Sequence, residues 1–207
     1  MSQAPDDTPL LESDLDPDPI RQVERWVADA RDAGILEPTA MTVATVDADG
    51  RPQARTVLLR GIDERGFRFY TNYGSRKARA LDAHPFAAMV LLWKELGRQV
   101  KIEGRVERLA TEESATYFAS RPRGHRLAAW ASRQSEPVAS RAEMEAAFRE
   151  IEERFADVDD VPLPEHWGGF LLRPDVVEIW NGRANRMHDR FRYTRTPDGW
   201  TRSRIWP

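Results

Sequence analysis

The chain of 207 residues contains no cysteine. That removes disulfides, thiolate nucleophiles and Cys-ligated metal clusters, suits a cytoplasmic enzyme, and leaves any redox chemistry to a cofactor. Lysine is scarce: Lys77, Lys94 and Lys101 are the only lysines among 31 basic residues, so Lys77 stands out in a chain that otherwise uses arginine. No apolar run approaches the roughly 20 residues of a membrane helix, and the start is acidic where a signal peptide is basic and then apolar. No G-x-G-x-x-G links a strand to a helix, no G-x-S-x-G elbow is present, and no His/Asp/Glu spacing matches a metal-ligand set. A net charge of −3 gives no general affinity for nucleic acid. A basic site must then be local, and the anion it binds small.

What is present is an ordinary globular composition, 41% hydrophobic and 31% charged, with seven Trp. The length favours one domain. Residues 1–19 hold four Pro and six acidic side chains and read as a flexible acidic segment, mobile or draped on the surface, ahead of a single domain over 20–207. Val23, Trp26, Val27 and Ala30 recur at helical spacing, with Gly34 as a stop. Met41 to Val46 reads as a strand turned by Asp47-Ala48-Asp49-Gly50 into a second that ends at Arg60, and Phe67 to Thr71 as the strand that returns. Phe86 to Trp93 is continuously apolar and reads as a fully buried strand, followed by one with a polar face at Gln99, Lys101 and Glu103. Helices are expected over Thr111 to Ser120 and Ser140 to Phe155, the latter opened by Ser140-x-x-Glu143, with an irregular basic segment from Arg121 to Ser135 between them. Four short strands follow: Gly169 to Leu172, Val176 to Trp180, Arg190 to Thr194 and Trp200 to Ile205. The pattern predicts a mainly β protein with helices (α+β), an antiparallel barrel with helical insertions.

Three clusters offer chemistry. In the first, Arg55, Val57 and Leu59 alternate with Thr56, Leu58 and Arg60 along a strand. Tyr70 and Thr71 close the returning strand, and Gly74-Ser75 cap a short helix that opens with Arg76-Lys77. Guanidinium, ammonium, hydroxyl and a helix N-terminus together suit a phosphate, against the alternative of a solvated hairpin with surface arginines. In the second, strand geometry puts Arg186, His188 and Arg190 on one face, where three potential cations repel unless an anion sits among them; the alternative is an edge strand whose arginines deter aggregation. In the third, Tyr117 and Arg121 stand i, i+4 at a helix end, followed by Arg123, His125, Arg126 and Gln134-Ser135. The pair could hold a phosphate, or Arg121 could simply complement a helix dipole.

Taken in order, RTVLLR (55–60), FYTNYGSRKA (69–78), GRQVKIEG (97–104), YFASRPRG (117–124), WASRQSEP (130–137), WGGF (167–170) and RMHDR (186–190) resemble the pyridoxine/pyridoxamine 5′-phosphate oxidase family, the FMN-binding split barrels. The resemblance runs from about Leu10 to the C-terminus. It implies a split barrel of six to eight strands with peripheral helices, and a homodimer with FMN at the interface. FMN contacts would come from Arg55, Thr56, Val57, Leu58, Leu59, Arg60, Tyr70, Thr71, Arg76, Lys77, Gln99, Gln134, Ser135, Trp180 and Arg190. Substrate contacts would come from Arg60, Tyr117, Arg121, His125, Arg186 and His188, with Arg186 and His188 nearest the reacting centre. The implied reaction removes hydride from the substrate C4′ to flavin N5 and reoxidises the flavin with O₂, giving H₂O₂ and pyridoxal 5′-phosphate.

Every FMN position matches, while departures fall on the substrate side. Arg60 stands where the family usually has lysine, His125 where it usually has serine, and no Arg-x-x-Tyr segment precedes Leu10. Arg and Lys are not interchangeable at a phosphate. An alternative within the fold is therefore an FMN-dependent oxidase of another aromatic intermediate, of the phenazine-tailoring type. A flavin- or pyridoxal-phosphate-binding module without turnover is a third possibility.

Overall fold

The computed structural model describes residues 8–207. A single helix, α1 (Pro19–Asp32), leads into the sheet. Pro19 at its first position and the Asp18 carboxylate, which accepts from the Ile20 N–H, start it, and Val23, Trp26, Val27 and Ala30 form its buried stripe. The strands are β1 (Ala40–Val46), β2 (Pro52–Leu58), β3 (Gly61–Asp63), β4 (Gly66–Asn72), β5 (Phe86–Trp93), β6 (Arg98–Arg108), β7 (Trp167–Asn181), β8 (Asp189–Thr196) and β9 (Gly199–Arg204). The remaining helices are α2 (Arg76–Ala83), α3 (Thr111–Ala119), α4 (Arg123–Ala131) and α5 (Arg141–Arg154).

All strand pairings are antiparallel, in the order β2-β1-β5-β6-β7-β4-β3, with β8 and then β9 added beside β7. The described residues thus form nine strands where six to eight were expected. The strand expected to end at Arg60 stops at Leu58, and the chain turns through Arg60, whose N–H donates to the Arg68 carbonyl, into the short β3. The two strands expected over 169–180 are one continuous β7, because β6 pairs with it through a register shift at Glu103/Gly104 that leaves Asp175, next to Pro174, as the extra residue. Gly104 is required there, since a Cβ would lie 2.0 Å from the Arg173 carbonyl oxygen.

One core fills the curl of this sheet, with Phe67, Phe69, Met89, Leu91, Ile102, Leu172, Ile179 and Phe191 packed under α1. Strand β5 is not buried on both faces as its apolar run suggested. Ala87, Met89, Leu91 and Trp93 point inward, whereas Phe86 and Leu92 stand about half exposed on the outer face. Continuous hydrophobicity in this strand supplies two surfaces, one of which no part of the described chain covers.

The segment from Arg121 to Ser135, expected to be irregular, contains α4. Pro122 begins it, and Leu127, Ala129 and Trp130 turn toward α3, α5 and Trp167 in two small satellite cores. Seven basic and small polar residues in the segment masked that apolar stripe. At the N-terminus, order extends further than expected. Leu15 is buried, the Leu10 N–H donates to Asp189, and the Asp16 carbonyl accepts from the Tyr193 hydroxyl, so 8–18 are draped on the barrel. Residues 1–7 of the expected flexible segment lie outside the described residues.

Candidate functional site

The first cluster assembles around Lys77. Ser75 caps α2 through its hydroxyl, which places Lys77 on the buried side of the first turn and Arg76 on the exposed side. The Lys77 Nζ lies 2.9 Å from Thr71 Oγ1, 3.0 Å from Gln134 Oε1 and 3.3 Å from Ser75 Oγ. All three partners are neutral. Burial, with the nearby Arg55 guanidinium adding repulsion, pulls its pKa down to about 8. Arg55 reaches across the β1–β2 pair to the Val43 carbonyl, Thr45 Oγ1 and Gln53, and is itself pushed down by burial and by Arg76. Thr56, Val57 and Leu58 run through β2, and Leu59 is buried directly after it. Ser135 follows Gln134 with a left-handed backbone, φ 74°. Arg55, Arg76 and Lys77 have no carboxylate partner among the described residues, an arrangement that calls for an anion.

Beside it lies a stack of aromatic rings. Tyr70 stacks on Tyr117 with centroids 3.9 Å apart, and Trp167 continues the stack at 5.6 Å from Tyr70. The glycines of W-G-G-F make room: a Cβ at Gly169 would sit 2.8 Å from the Tyr70 ring, and one at Gly168 2.1 Å from the Tyr73 hydroxyl oxygen. Arg121 lies over Trp167, its guanidinium carbon 4.6 Å from the ring centroid. Its Nη1 is buried without a hydrogen-bond partner, and burial together with Arg60 lowers its pKa although Tyr117 opposes this. Arg60 and Tyr117 both lie near enough to Arg121 to act on its charge. His125 is exposed on α4.

The second cluster is built differently from the expected strand face. Asn185 and Arg186 have left-handed backbones, φ 54° and 61°, so the chain turns through Ala184–Arg186 and only Arg190 lies in β8. His188 sits at the entry to that strand, where its ring packs 4.6 Å from Trp180 and its Nδ1 accepts the Arg183 N–H at 3.0 Å. Gln99, Trp180 and Arg190 are consecutive partners across β6, β7 and β8, on the outer face of the sheet. Arg186 is exposed at the turn.

The two groups occupy opposite ends of β7. Tyr70 pairs with Gly169 at one end and Gln99 with Trp180 at the other. The separation along the strand is roughly 35 Å at the usual rise of about 3.3 Å per residue. Three further residues belong to these sites: Trp167 under Arg121, Glu178 against Arg190, and Asp189, which gathers Leu10 and Arg204. A lone carboxylate in the apolar run Val176 to Trp180 was the available signal for Glu178.

Two family models divide the chain between them: "Pyridoxamine 5'-phosphate oxidase" matches residues 27–155, and "Pyridoxine 5'-phosphate oxidase C-terminal dimerisation region" matches residues 167–207. The second contains Trp180, His188 and Arg190. A "Pyridoxine/pyridoxamine 5'-phosphate oxidase" of Rubrobacter xylanophilus is 55% identical over 96% of this chain and 91% of its own. Another of Thermosynechococcus vestitus is 54% identical over 96% and 93%. Among solved structures, PhzG from Burkholderia lata, in complex with tetrahydrophenazine-1-carboxylic acid, superposes with a TM-score of 0.89 at 31% identity, covering 96% of this chain and 98% of that one. A "pyridoxamine 5'-phosphate oxidase-related, FMN binding protein" of Nostoc punctiforme shares the fold, with a TM-score of 0.76 at 20% identity over 91% and 98% of the two chains. The buried lysine pocket, the aromatic stack beside it and the turn at His188 thus fall within the two matched regions, and the chain belongs to the pyridoxine/pyridoxamine 5′-phosphate oxidase family.

Proposed function

We propose that the protein is an FMN-dependent oxidase that converts pyridoxine 5′-phosphate or pyridoxamine 5′-phosphate to pyridoxal 5′-phosphate, with O₂ as acceptor and H₂O₂ as product. The observation that carries the substrate half is Arg121, a half-buried guanidinium whose buried Nη1 has no hydrogen-bond partner, held over Trp167 beside Tyr117. It is a second carboxylate-free cationic pocket next to the one at Lys77. A phosphorylated cofactor and a phosphorylated aromatic substrate need two such pockets; an unphosphorylated substrate needs one.

FMN fits the residues at Lys77. An ammonium whose hydrogen-bond partners are all neutral, with the cations Arg55 and Arg76 nearby, suits a phosphate dianion, and its depressed pKa is what a buried cation shows before its anion arrives. When bound, FMN supplies the two-electron oxidation and passes the electrons to O₂. Gln99, Trp180 and Arg190 lie too far along β7 to reach the same molecule from the same chain. One protomer would therefore supply the Lys77 pocket and its partner the Trp180 face, which agrees with the match of residues 167–207 to a dimerisation region. The exposed Leu92 on the outer face of the sheet next to Gln99 suits such a contact.

The chain's own groups divide the remaining work. Tyr117 and Arg121 hold the substrate phosphate, with Arg60 adding charge. Arg186 and His188 face the pyridine ring. Because His188 Nδ1 accepts the Arg183 N–H, the neutral imidazole carries its proton on Nε2. His188 therefore donates a hydrogen bond from Nε2 and orients the substrate; it holds no lone pair there with which to take a proton.

The deciding experiment loads the protein with FMN, removes oxygen and adds pyridoxine 5′-phosphate. Loss of the oxidised flavin absorbance with aldehyde formation is the expected result. A yellow protein that stays yellow with this substrate but bleaches with a tricyclic aromatic acid transfers the function to the phenazine-tailoring reading, which the exposed His125 and Arg60 would then explain.

A further inference from the structure

Glu178 is the most deeply buried carboxylate on the outer face of the sheet, with only 4% of its side chain exposed. It lies in register between Lys101 of β6 and Arg192 of β8, one row from Gln99, Trp180 and Arg190. Three cations surround it, but its hydrogen bonds are not shared among them. Its Oε1 accepts from Arg190 Nε at 2.9 Å and from Arg190 Nη2 at 2.6 Å. Its Oε2 faces Lys101 Nζ at 3.6 Å and Arg192 Nη2 at 3.7 Å and accepts no hydrogen bond. Arg190 Nη1 donates to the Trp206 carbonyl at 2.9 Å on its other side. A guanidinium has five N–H groups. Three are committed to these contacts, which fix the plane of the group and leave the remaining donors pointing away from Glu178.

On the reading that FMN binds between two protomers, we infer that Glu178 is a positioning residue for the cofactor. It acts through Arg190, holding that guanidinium in the one orientation that presents its free N–H groups to the flavin. Lys101 and Arg192 offset the buried carboxylate without directing it.

Charge and positioning give opposite signs, which makes the inference testable. If Glu178 only neutralises the cations around it, Glu178→Gln leaves the site more positive and tightens binding of the anionic FMN. If it positions Arg190, Glu178→Gln loosens the guanidinium and weakens FMN. Glu178→Asp, which keeps the charge but withdraws the carboxylate by one methylene, also weakens it. Titration of apoprotein with FMN, followed by quenching of flavin fluorescence, should show Kd rising about tenfold for both variants, the loss of one charged hydrogen-bonding arrangement. The reduction potential of the bound flavin should move in both as well, because a charge near the ring is displaced. In an Arg190→Ala background either change should alter Kd by less than about twofold, since coupled residues are not additive. Lys101→Met, which also removes a charge from beside Glu178, should leave Kd within about twofold of wild type on the same reasoning.

Unchanged or tighter binding in Glu178→Asp, or equal effects with and without Arg190, overturns the inference. Should Glu178→Gln fail to fold, Glu178→Asp and its Arg190→Ala double variant decide alone. A wild-type apoprotein that takes up no FMN overturns the cofactor reading and this inference with it. FMN uptake with an indifferent Glu178→Asp overturns this inference alone.

Discussion

The pocket around Lys77 and the face around Arg190 are both cationic, both partly buried and both assigned to one ligand, yet they treat charge in opposite ways. At Lys77 the ammonium's hydrogen-bond partners are a threonine, a serine and a glutamine carbonyl, and burial, with repulsion from Arg55, depresses its pKa to about 8. At Arg190 a buried carboxylate takes two of the guanidinium's donors. The first region leaves its charge unsatisfied and stores an affinity for an incoming dianion. The second satisfies its charge internally and so can fix direction rather than supply attraction. A ligand with a charged end and a flat, nearly neutral end would be met by the two in that order.

Removing the unsatisfied charge should do the most damage. Lys77→Met should weaken FMN binding about 100-fold, the scale of a lost charge-assisted contact in a dry site, with the fold intact by circular dichroism; retention of FMN would show that Arg55 and Arg76 suffice. The same region fixes a pH dependence. Lys77 releases its proton near pH 8 in the folded apoprotein, against 10.5 for an ordinary lysine. FMN affinity should therefore fall as pH rises through about 8. Between the two values the unfolded chain binds more protons than the folded one, so this group's contribution to apoprotein stability rises with pH across that window and is lost on descending through the lower value. Opposite slopes for affinity and apoprotein stability, both abolished by Lys77→Met, are the signature to seek.

Next in size is the substrate pocket. Arg121→Ala should raise KM for pyridoxine 5′-phosphate about 30-fold while moving FMN Kd by less than about threefold; equal losses would overturn the proposed division into two pockets. At the other end, His188→Gln keeps a donor and should retain activity within about fivefold, whereas His188→Ala loses it and should fall further, to about one-thirtieth. If Gln is as poor as Ala, the Nε2–H role is wrong. The smallest change lies outside both regions. Ser140 accepts the Glu143 N–H at the start of α5, and Ser140→Ala should lower stability by about 1 kcal/mol in thermal unfolding without touching FMN.

The two regions also differ in how far the sequence disclosed them. The Lys77 pocket lies within a short stretch, and its parts are local signals: a strand alternation, a Gly-Ser cap and the first turn of a helix. Gln134 arrives from 57 residues away, and only the motif resemblance pointed to it. At the other pole, a period-two reading put Arg186, His188 and Arg190 on one face. Left-handed backbone at Asn185, a residue that enters that region readily, and at Arg186, which does so rarely, broke that pattern. The outer face of β5 was misjudged for a related reason. Eight apolar residues in a row read alike whether the second face meets the chain's own core or another surface. Helix α4 was hidden because its arginines serve distant carbonyls and carboxylates. Arg123 donates to Phe155 and Val158, and Arg126 pairs with Asp160, contacts that no local pattern carries.

The clasp between the segment before α1 and strands β8 and β9 has a consequence for how the protein folds. Leu10 and Glu12 are held by Arg204, 194 and 192 residues later, and Leu15 and Asp16 by Arg202 and Tyr193. Contacts between residues so far apart in sequence carry a high loop-closure cost, so the docking of the segment before α1 onto β8 and β9 belongs to the late steps of folding. Trp206, just beyond β9, reaches Arg190, so the Arg190 face is completed by that same late docking.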